Sequence, residues 1–350
     1  MGSAAASDRL VLAAGIVGLL ALALTAALAL QVLLMRHRAA RRERRNAMVL
    51  ATWRPLLFGW IVGDEPALPV LLPPDEEAFL LLWNQLQDRV LGEARARLGR
   101  LGERAGAHAM ARRRLARGDA LDRLLALRTL GYLARPGDYP GVASWLDDRR
   151  SYLCIAAARA LVHIGPVRAP GDLLPRLARR VDWPVALFAT MLAEADPEET
   201  ARHLREVLRG LPRDPLVRLL PLVTVVDGGT ADEILGGLLA SFTDPEVLSA
   251  ALKRAESPRL LPHVRRACAH PEWAVRTQAA AALGRVGERG DREPLLRLLC
   301  DPGWWVRYRA AQALLSGRFG AATEIAALAL GLGDRYARDV VEHVLAEVRG

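Results

Sequence analysis

The sequence predicts an all-α protein: an α-solenoid of about eight helix pairs, preceded by a transmembrane helix and a linking helical region. Three observations predict this class. The 350 residues are rich in Leu, Ala and Arg, and aromatic residues make up only 5%, which disfavours a β-sandwich or a barrel. A segment near the N-terminus carries no charge over a length that would cross a bilayer. A motif of about 31 residues recurs through the C-terminal part of the chain.

The first element is the apolar segment at residues 10–35. Its 26 residues contain no charge, and Thr25 and Gln31 are its only clearly polar side chains. Because about 20 apolar residues suffice to cross the hydrocarbon core, we predict a retained transmembrane helix, with residues 1–9 as a short extracytoplasmic N-terminus. A cleaved signal peptide is the alternative, but its apolar region would be only about 7–15 residues long and its positive charge would come first.

A basic run follows the apolar segment directly. Six arginines and Glu43 give this run a charge of +5, more than half of the net charge of +9. The positive-inside rule then predicts a single-pass protein of the bacterial inner membrane, with its N-terminus outside and its solenoid in the cytoplasm. The same arginines are candidate contacts for anionic lipid headgroups: Arg36, Arg38, Arg41, Arg42, Arg44 and Arg45. No aromatic residues interleave with them, so we expect no specific nucleic acid as a partner.

The region between the basic run and the repeats divides into two predicted segments. Residues 36–74 are predicted to be a basic juxtamembrane segment and a Pro-rich linker. Its apolar part, residues 47–62, allows two interpretations: an interfacial helix or a helix docked on the soluble domain. Residues 75–118 are predicted to form a connecting helix with Asp75 as its N-cap, because apolar residues recur there at steps of three and four.

The repeat is clearest in two segments, HPEWAVRTQAAAALGRVG at residues 270–287 and DPGWWVRYRAAQALLSG at residues 301–317. Both contain W-x-V-R-x-x-A-A-x-A-L. Weaker copies continue at steps of 28 to 32 residues, with matched positions at Arg123, Cys154, Ala186, Arg218, Leu248, Arg276, Arg307 and Arg338. Each copy has a Leu-rich run, a turn and a second helix rich in small residues. Since one such pair cannot bury its own apolar faces, stacked pairs predict a solenoid over residues 119–350.

This motif resembles that of HEAT-repeat proteins, especially the short bacterial HEAT-like repeats. The resemblance implies a curved scaffold that binds proteins, and it leaves the ligand open. It also implies a ladder between neighbouring repeats, formed by Asp214, Arg218, Arg276, Arg307, Asp334 and Arg338. The layout as a whole is similar to bacterial membrane HEAT proteins that accompany polysaccharide glycosyltransferases. That likeness implies a membrane glycosyltransferase, or another enzyme of envelope polysaccharide synthesis, as the protein partner.

The sequence contains no recognisable catalytic or metal-binding pattern. Its seven histidines form no HExxH motif or zinc spacing, and its three cysteines are odd in number and widely spaced. We therefore expect no enzyme activity, catalytic residue, metal or cofactor. Because one HEAT-like group consists of bilin lyases, a lyase-like enzyme or cofactor-binding protein stays an alternative. A binder of anionic lipid or nucleic-acid surfaces is the other alternative.

The favoured hypothesis is a membrane-anchored scaffold or adaptor whose solenoid binds an unidentified protein. The candidate protein-binding residues are Trp305, Arg309, Gln312 and Gln278, since Trp and Arg are enriched where binding energy concentrates. Three other tryptophans recur at one position of the repeat and are predicted to pack between repeats: Trp183, Trp273 and Trp304.

Overall fold

The structure is a computed structural model that describes the backbone of residues 2–349. Side chains are not described for residues 2–23, 26, 27, 348 and 349. Over the described residues the chain forms nineteen α-helices and several short 3₁₀ turns, without a strand. The predicted all-α class is therefore confirmed, and the arrangement is consistent with an α-solenoid. The chain divides into two compact units, Met1–Leu133 and Ala134–Gly350.

The first unit is built around the C-terminal part of its longest helix. Its helices are α1 (Gly2–Val62), α2 (Glu76–Gln87), α3 (Gly92–Arg104), α4 (Ala107–Arg117) and α5 (Ala120–Leu133). α1 packs against α2 and α3, and α4 packs against α5. Large aromatic and aliphatic side chains from these helices form one core, including Trp53, Leu57, Trp60, Phe79, Trp83, Leu98 and Leu101.

Residues 47–62, for which the sequence allowed two interpretations, form a helix docked within the first unit. Trp53 and Trp60 are buried, and the ring of Trp53 lies 4.6 Å from that of Phe79. Trp60 Nε1 donates a hydrogen bond to the carbonyl of Pro66 at 3.1 Å. Because these rings are enclosed by the unit, they are not placed as an aromatic belt at a membrane surface.

In the segment predicted at residues 36–74 as a basic juxtamembrane segment and Pro-rich linker, the juxtamembrane part is helical, whereas most of the Pro-rich part lacks regular structure. α1 continues to Val62, and residues 64–72 alone lack regular structure before the 3₁₀ turn Pro73–Asp75. The helix extends this far because burial of its apolar face against α2 and α3 stabilises it.

The prediction of a single connecting helix over residues 75–118 is wrong, since this segment forms three helices, α2, α3 and α4. Gly92 and Gly106 stand at the two breaks with φ of +59° and +82°, a left-handed backbone that glycine adopts at little cost. The first break folds α3 back onto α2. There, Trp83 Nε1 donates a hydrogen bond to the carbonyl of Leu98 at 2.8 Å.

The predicted membrane span lies largely outside the described residues, because side chains before residue 24 are not described. Among the residues that are described, no helix is both long and apolar enough to cross a membrane. The described side chains from residue 28 to residue 44 are all exposed, including those of Leu28, Leu33 and Met35. Within this stretch of α1, Arg42 contacts Glu77 of α2, and no described side chain is buried by packing.

The second unit consists of seven consecutive helix pairs. They are α6 (Tyr139–Ala143) with α7 (Ser151–Ile164), α8 (Ala169–Arg179) with α9 (Val185–Leu192), α10 (Pro197–Arg209) with α11 (Arg213–Leu219), α12 (Gly228–Ser241) with α13 (Pro245–Leu252), α14 (Leu261–Ala267) with α15 (Trp273–Val286), α16 (Arg292–Leu299) with α17 (Trp304–Leu314), and α18 (Ala322–Gly331) with α19 (Arg335–Arg349). The α4–α5 pair of the first unit has the same helix–turn–helix form.

The predicted repeat register agrees with these pairs. Each of the eight matched positions falls in the second helix of a pair, from Arg123 in α5 to Arg338 in α19. Arg276 and Arg307 are both the fourth residue of their helices. The structure places α5 with the first unit, although residues 119–133 were predicted to open the solenoid.

Candidate functional site

The second helices of the last three pairs form a continuous surface, because α15 packs on α17 and α17 packs on α19. Aromatic side chains stand where these helices begin. Trp273 opens α15, Trp304 and Trp305 open α17, and Tyr336 is the second residue of α19. Their exposed fractions range from 46% to 57%, so each ring keeps about half of its surface open to solvent. We call these four residues the aromatic edge.

Ring contacts and a cation–π contact hold three of the four residues of the aromatic edge, Trp304, Trp305 and Tyr336. Trp304 stacks on Tyr308 with a centroid distance of 5.0 Å and an angle of 13°, and Trp305 meets Trp304 edge-on at 4.7 Å. The Arg307 guanidinium lies 5.2 Å from the ring centre of Tyr336, within the range of a cation–π contact. Because the rings are already ordered, a partner that binds them loses little side-chain freedom.

The predicted binding residues lie beside this edge. Trp305, Arg309 and Gln312 occupy successive turns of one face of α17, and Arg309 Nη1 donates a hydrogen bond to Gln312 Oε1 at 2.8 Å. Gln278 lies half-buried on the adjacent helix α15. Among the described residues, no hydrogen bond links Gln278 to the other three. That these four residues bind a protein partner stays a prediction.

The prediction that the recurring tryptophans pack between repeats is wrong for two of the three. Trp183 is buried and stacks on Phe188, with ring centroids 4.6 Å apart. Trp273 and Trp304 are 48% and 46% exposed. The side chain five residues later explains the difference. It is a phenylalanine after Trp183 but Gln278 and Arg309 after the other two, so neither of these two has a phenylalanine at that position to cover its ring.

Arg276 and Arg307 have the same local role in their repeats. Each uses Nη1 to bind the carbonyl six residues earlier, that of His270 at 2.9 Å and that of Asp301 at 2.7 Å. Each also reaches the next carbonyl, at Pro271 or Pro302. The guanidinium thus satisfies carbonyl groups of the turn that joins the two helices of a pair.

Among the described residues, no side-chain hydrogen bond or ion pair joins one predicted ladder residue to another. Arg218 binds the carbonyls of Leu177 and Ala178 at the end of α8. Asp334 caps α19 by accepting hydrogen bonds from the backbone of Tyr336 and Ala337. Asp214 pairs with its neighbour Arg213, and no contact of Arg338 with a described acidic side chain is present. Of the predicted ladder residues, Arg276 pairs with an acid of the next repeat, Asp301, which the sequence reasoning missed.

A second ion pair, Arg265–Asp291, was also missed; its carboxylate is buried, whereas the Arg265 side chain is 44% exposed. With Arg276–Asp301 it lines a cavity of ≈ 440 Å³ between the α14–α15 and α16–α17 pairs. Cys268 lies in the same cavity, and burial raises the pKa of its thiol to about 12, which keeps it protonated and poorly nucleophilic at neutral pH. Within the described residues, no three His, Cys, Asp or Glu side chains are grouped as metal ligands would be.

The arginines of the basic run divide into two groups. Arg42 forms an ion pair with Glu77, and Arg45 forms one with Asp75, so that Asp75 binds an arginine although it stands at the N-cap position of α2. The other four are exposed and form no ion pair with a described residue: Arg36, Arg38, Arg41 and Arg44. Contact of any of the six with lipid headgroups stays a prediction.

Charge is distributed unequally between the two units. The first has nineteen basic and twelve acidic residues, and the second has twenty-nine basic and twenty-seven acidic residues. The positive surplus therefore lies mainly in the first unit. The small surplus of the second unit gives little support to the alternative that the repeats bind polyanions through their net charge.

Comparison with known protein families gives one match. The family described as HEAT repeats matches residues 261–347, from the start of α14 into the last turn of α19. This range contains the aromatic edge and both sequence segments that carry the resemblance. The match supports a HEAT-repeat protein, and such repeats are typically non-enzymatic scaffolds for protein interaction. No curated protein matches the chain.

Proposed function

We propose that this protein is a scaffold anchored in the bacterial inner membrane by residues 10–35, with its N-terminus outside and its repeats in the cytoplasm. The repeats bind a protein partner through the surface of α15, α17 and α19. The observation that carries this proposal is the half-exposed, ordered aromatic edge within the part of the chain that matches HEAT repeats.

The exposed stretch of α1 supports the anchor. From Leu28 to Met35 the described side chains are mostly large and apolar, and all are exposed around the helix. Water is an unfavourable solvent for such a surface, whereas the hydrocarbon core of a bilayer is a favourable one. The unpaired arginines that follow fit the cytoplasmic headgroup layer, where each contributes about 1 kcal/mol of attraction to anionic lipid.

Extraction and topology measurements test the anchor. The full chain is expected to stay in the membrane after carbonate washing, and a variant without residues 2–35 is expected to be released. A reporter joined after Gly350 should be active only in its cytoplasmic form, and the same reporter before Met1 only in its external form. Release of the full chain by carbonate, or an external C-terminus, would overturn the anchor or its orientation.

The aromatic edge and its neighbours have the composition of a protein-binding surface. Trp, Tyr and Arg are the residues that most often dominate binding energy at interfaces, and here they lie together on two packed helices. Tethering to a membrane raises the local concentration of both partners, so that modest contacts suffice. The partner we propose is a membrane enzyme of envelope polysaccharide synthesis, such as a glycosyltransferase, on the basis of the similar layout of HEAT proteins that accompany such enzymes.

Co-purification with a matched control tests the binding surface. The full chain is extracted in mild detergent as wild type and as Trp305→Ala/Arg309→Ala, and associated proteins are quantified. The control is Tyr152→Ala, because Tyr152 is an exposed aromatic residue at the same place in its helix, the second residue of α7. We expect the partner to be lost only from the double variant. Equal recovery with all three proteins would contradict the proposed surface.

A further inference from the structure

Several exposed apolar side chains lie at one end of the first unit. This is the end at which α1 passes from its exposed stretch into the core of the unit. Met48 lies on α1, Val70 and Leu72 in the loop before α2, Leu81 on α2 and Leu121 on α5. Their exposed fractions run from 46% for Leu81 to 89% for Val70. We call these five residues the shoulder.

Two cavities place four of the five shoulder residues at one level of α1. Met48 and Val70 line a cavity together with Arg45, and Leu81 and Leu121 line another together with Arg42. Because Arg42 and Arg45 lie within one turn of α1, both cavities open at the same height along the helix. The shoulder is therefore one surface at the base of the exposed helix.

The shoulder lies close to the apolar stretch of α1. Arg42 follows Met35 by seven residues, or about 10 Å along a helix. The 26 uncharged residues of the predicted span would be about 39 Å long, whereas the hydrocarbon core is about 30 Å thick. A helix that exceeds the bilayer in this way accommodates by tilting. If α1 tilts toward the side of α2, the shoulder moves closer to the headgroup layer of the membrane.

We infer that the shoulder is a second membrane contact, whose apolar side chains enter the headgroup layer of a bilayer that carries anionic lipid. This inference rests on the proposed anchor. Charge supports lipid as the occupant, since the first unit holds most of the positive surplus and four arginines of the basic run are unpaired among the described residues. Of the acidic side chains beside the shoulder, Asp75, Glu77 and Asp122 each pair with an arginine, and Asp119 accepts a hydrogen bond from the backbone of Asp122 at the start of α5.

Photo-crosslinking of the full chain in lipid vesicles tests the shoulder directly. The chain is reconstituted into phosphatidylethanolamine and phosphatidylglycerol, and a benzophenone amino acid replaces Leu121 in one variant and Leu91 in another. Leu91 is a matched control because it is 79% exposed in the same unit but lies beyond the opposite end of α2. We expect lipid adducts at position 121 and severalfold fewer at position 91.

The possible outcomes distinguish failure of the shoulder contact from failure of the membrane anchor. Equal adduct yields at the two positions would overturn the inference, as would a crosslink from position 121 mainly to a second copy of the chain. Resistance to carbonate, measured on the same vesicles, reports on the span independently. If the chain resists carbonate and position 121 gives no lipid adduct, the shoulder contact is wrong and the anchor stands. If carbonate extracts the chain, both fail.

Discussion

Arg276 of α15 forms a bidentate ion pair with Asp301, which lies just before α17. This pair joins two successive repeats. Arg276 Nε lies 2.6 Å from Asp301 Oδ2, and Nη2 lies 3.0 Å from Oδ1. The two side chains are only 14% and 7% exposed. Since Nη1 of Arg276 also binds the carbonyls of its own turn, one guanidinium fixes both the turn and the spacing to the next repeat.

This geometry predicts that Asp301→Asn destabilises the contact between α15 and α17. The variant loses the charge that compensates a largely buried arginine, so we expect the free energy of local opening of these helices to fall by about 2–3 kcal/mol. Native-state hydrogen exchange measures this opening for each helix.

The exposed pair Arg297–Glu293 provides the control, because both side chains are 68% exposed. Glu293→Gln should change the same free energy by no more than about 0.5 kcal/mol. Effects of similar size in the two variants would show that burial of the Arg276–Asp301 pair is not the cause.

The second ion pair predicts a stability that depends on pH. Burial alone would raise the pKa of Asp291, but hydrogen bonds from Arg265 and from the Glu288 backbone lower it overall. Since the pKa is lower in the folded state than in the unfolded chain, the contribution of Asp291 is complete above the unfolded value near 3.8 and is lost as the pH falls through the folded value.

We therefore expect the melting temperature to decline more gently with acid in Asp291→Asn than in the wild type, from a lower value at pH 7. Circular dichroism between neutral pH and about pH 3 measures this decline. Parallel curves for the two proteins would contradict a role for the Asp291 carboxylate in acid sensitivity.

The repeat register could be predicted because it depends on local patterns. Helix pairs, their turns and the small residues of the second helices recur along the chain, so Arg276 and Arg307 were placed correctly at the start of their helices. Asp301 was not predicted as the partner of Arg276. Its counterpart in the preceding copy is His270, so no regular acidic position marked it.

Other features depend on contacts that the local pattern does not contain. Trp83 holds α3 against α2, and the apolar spacing alone does not show that the chain reverses there. Likewise, the recurrence of Trp273 and Trp304 does not show whether a neighbour covers them, because that depends on the residues at positions 278 and 309.

The packing of Trp83 predicts opposite effects for two glycines of α3. A Cβ on Gly102 would lie 2.7 Å from Cζ2 of the fully buried Trp83, whereas a Cβ on Gly99 would meet no atom within 4 Å. Gly102→Ala should therefore destabilise the first unit, since overpacking costs about 1–3 kcal/mol and exceeds the gain in helix propensity. Gly99→Ala should stabilise it by up to about 1 kcal/mol.

Thermal unfolding of both variants, followed by circular dichroism, measures this difference. A rise in melting temperature for Gly102→Ala would mean that Trp83 moves aside without loss. In that case, the close approach of α3 to α2 would not be what requires glycine at this position.

The hydroxyl group of Tyr308 links the aromatic edge to α19, which leads to a prediction about the order of that edge. Tyr308 Oη donates a hydrogen bond to Glu347 Oε2 at 2.9 Å, and this bond raises the pKa of the tyrosine. Tyr308→Phe keeps the ring that stacks on Trp304 but removes the link. We expect the amides of α19 to exchange somewhat faster in this variant, and the effect to be small because the bond lies at the surface.

Tyr336→Phe is the matched control, since the Tyr336 hydroxyl makes no hydrogen bond with a described residue while its ring faces Arg307. This variant should leave the opening free energy of α19 within about 0.5 kcal/mol of the wild type. Hydrogen exchange of the α19 amides distinguishes the two. If Tyr308→Phe left exchange unchanged, the Tyr308 hydroxyl would not hold α19, which would then depend on its apolar contacts and on the cation–π contact of Tyr336 with Arg307.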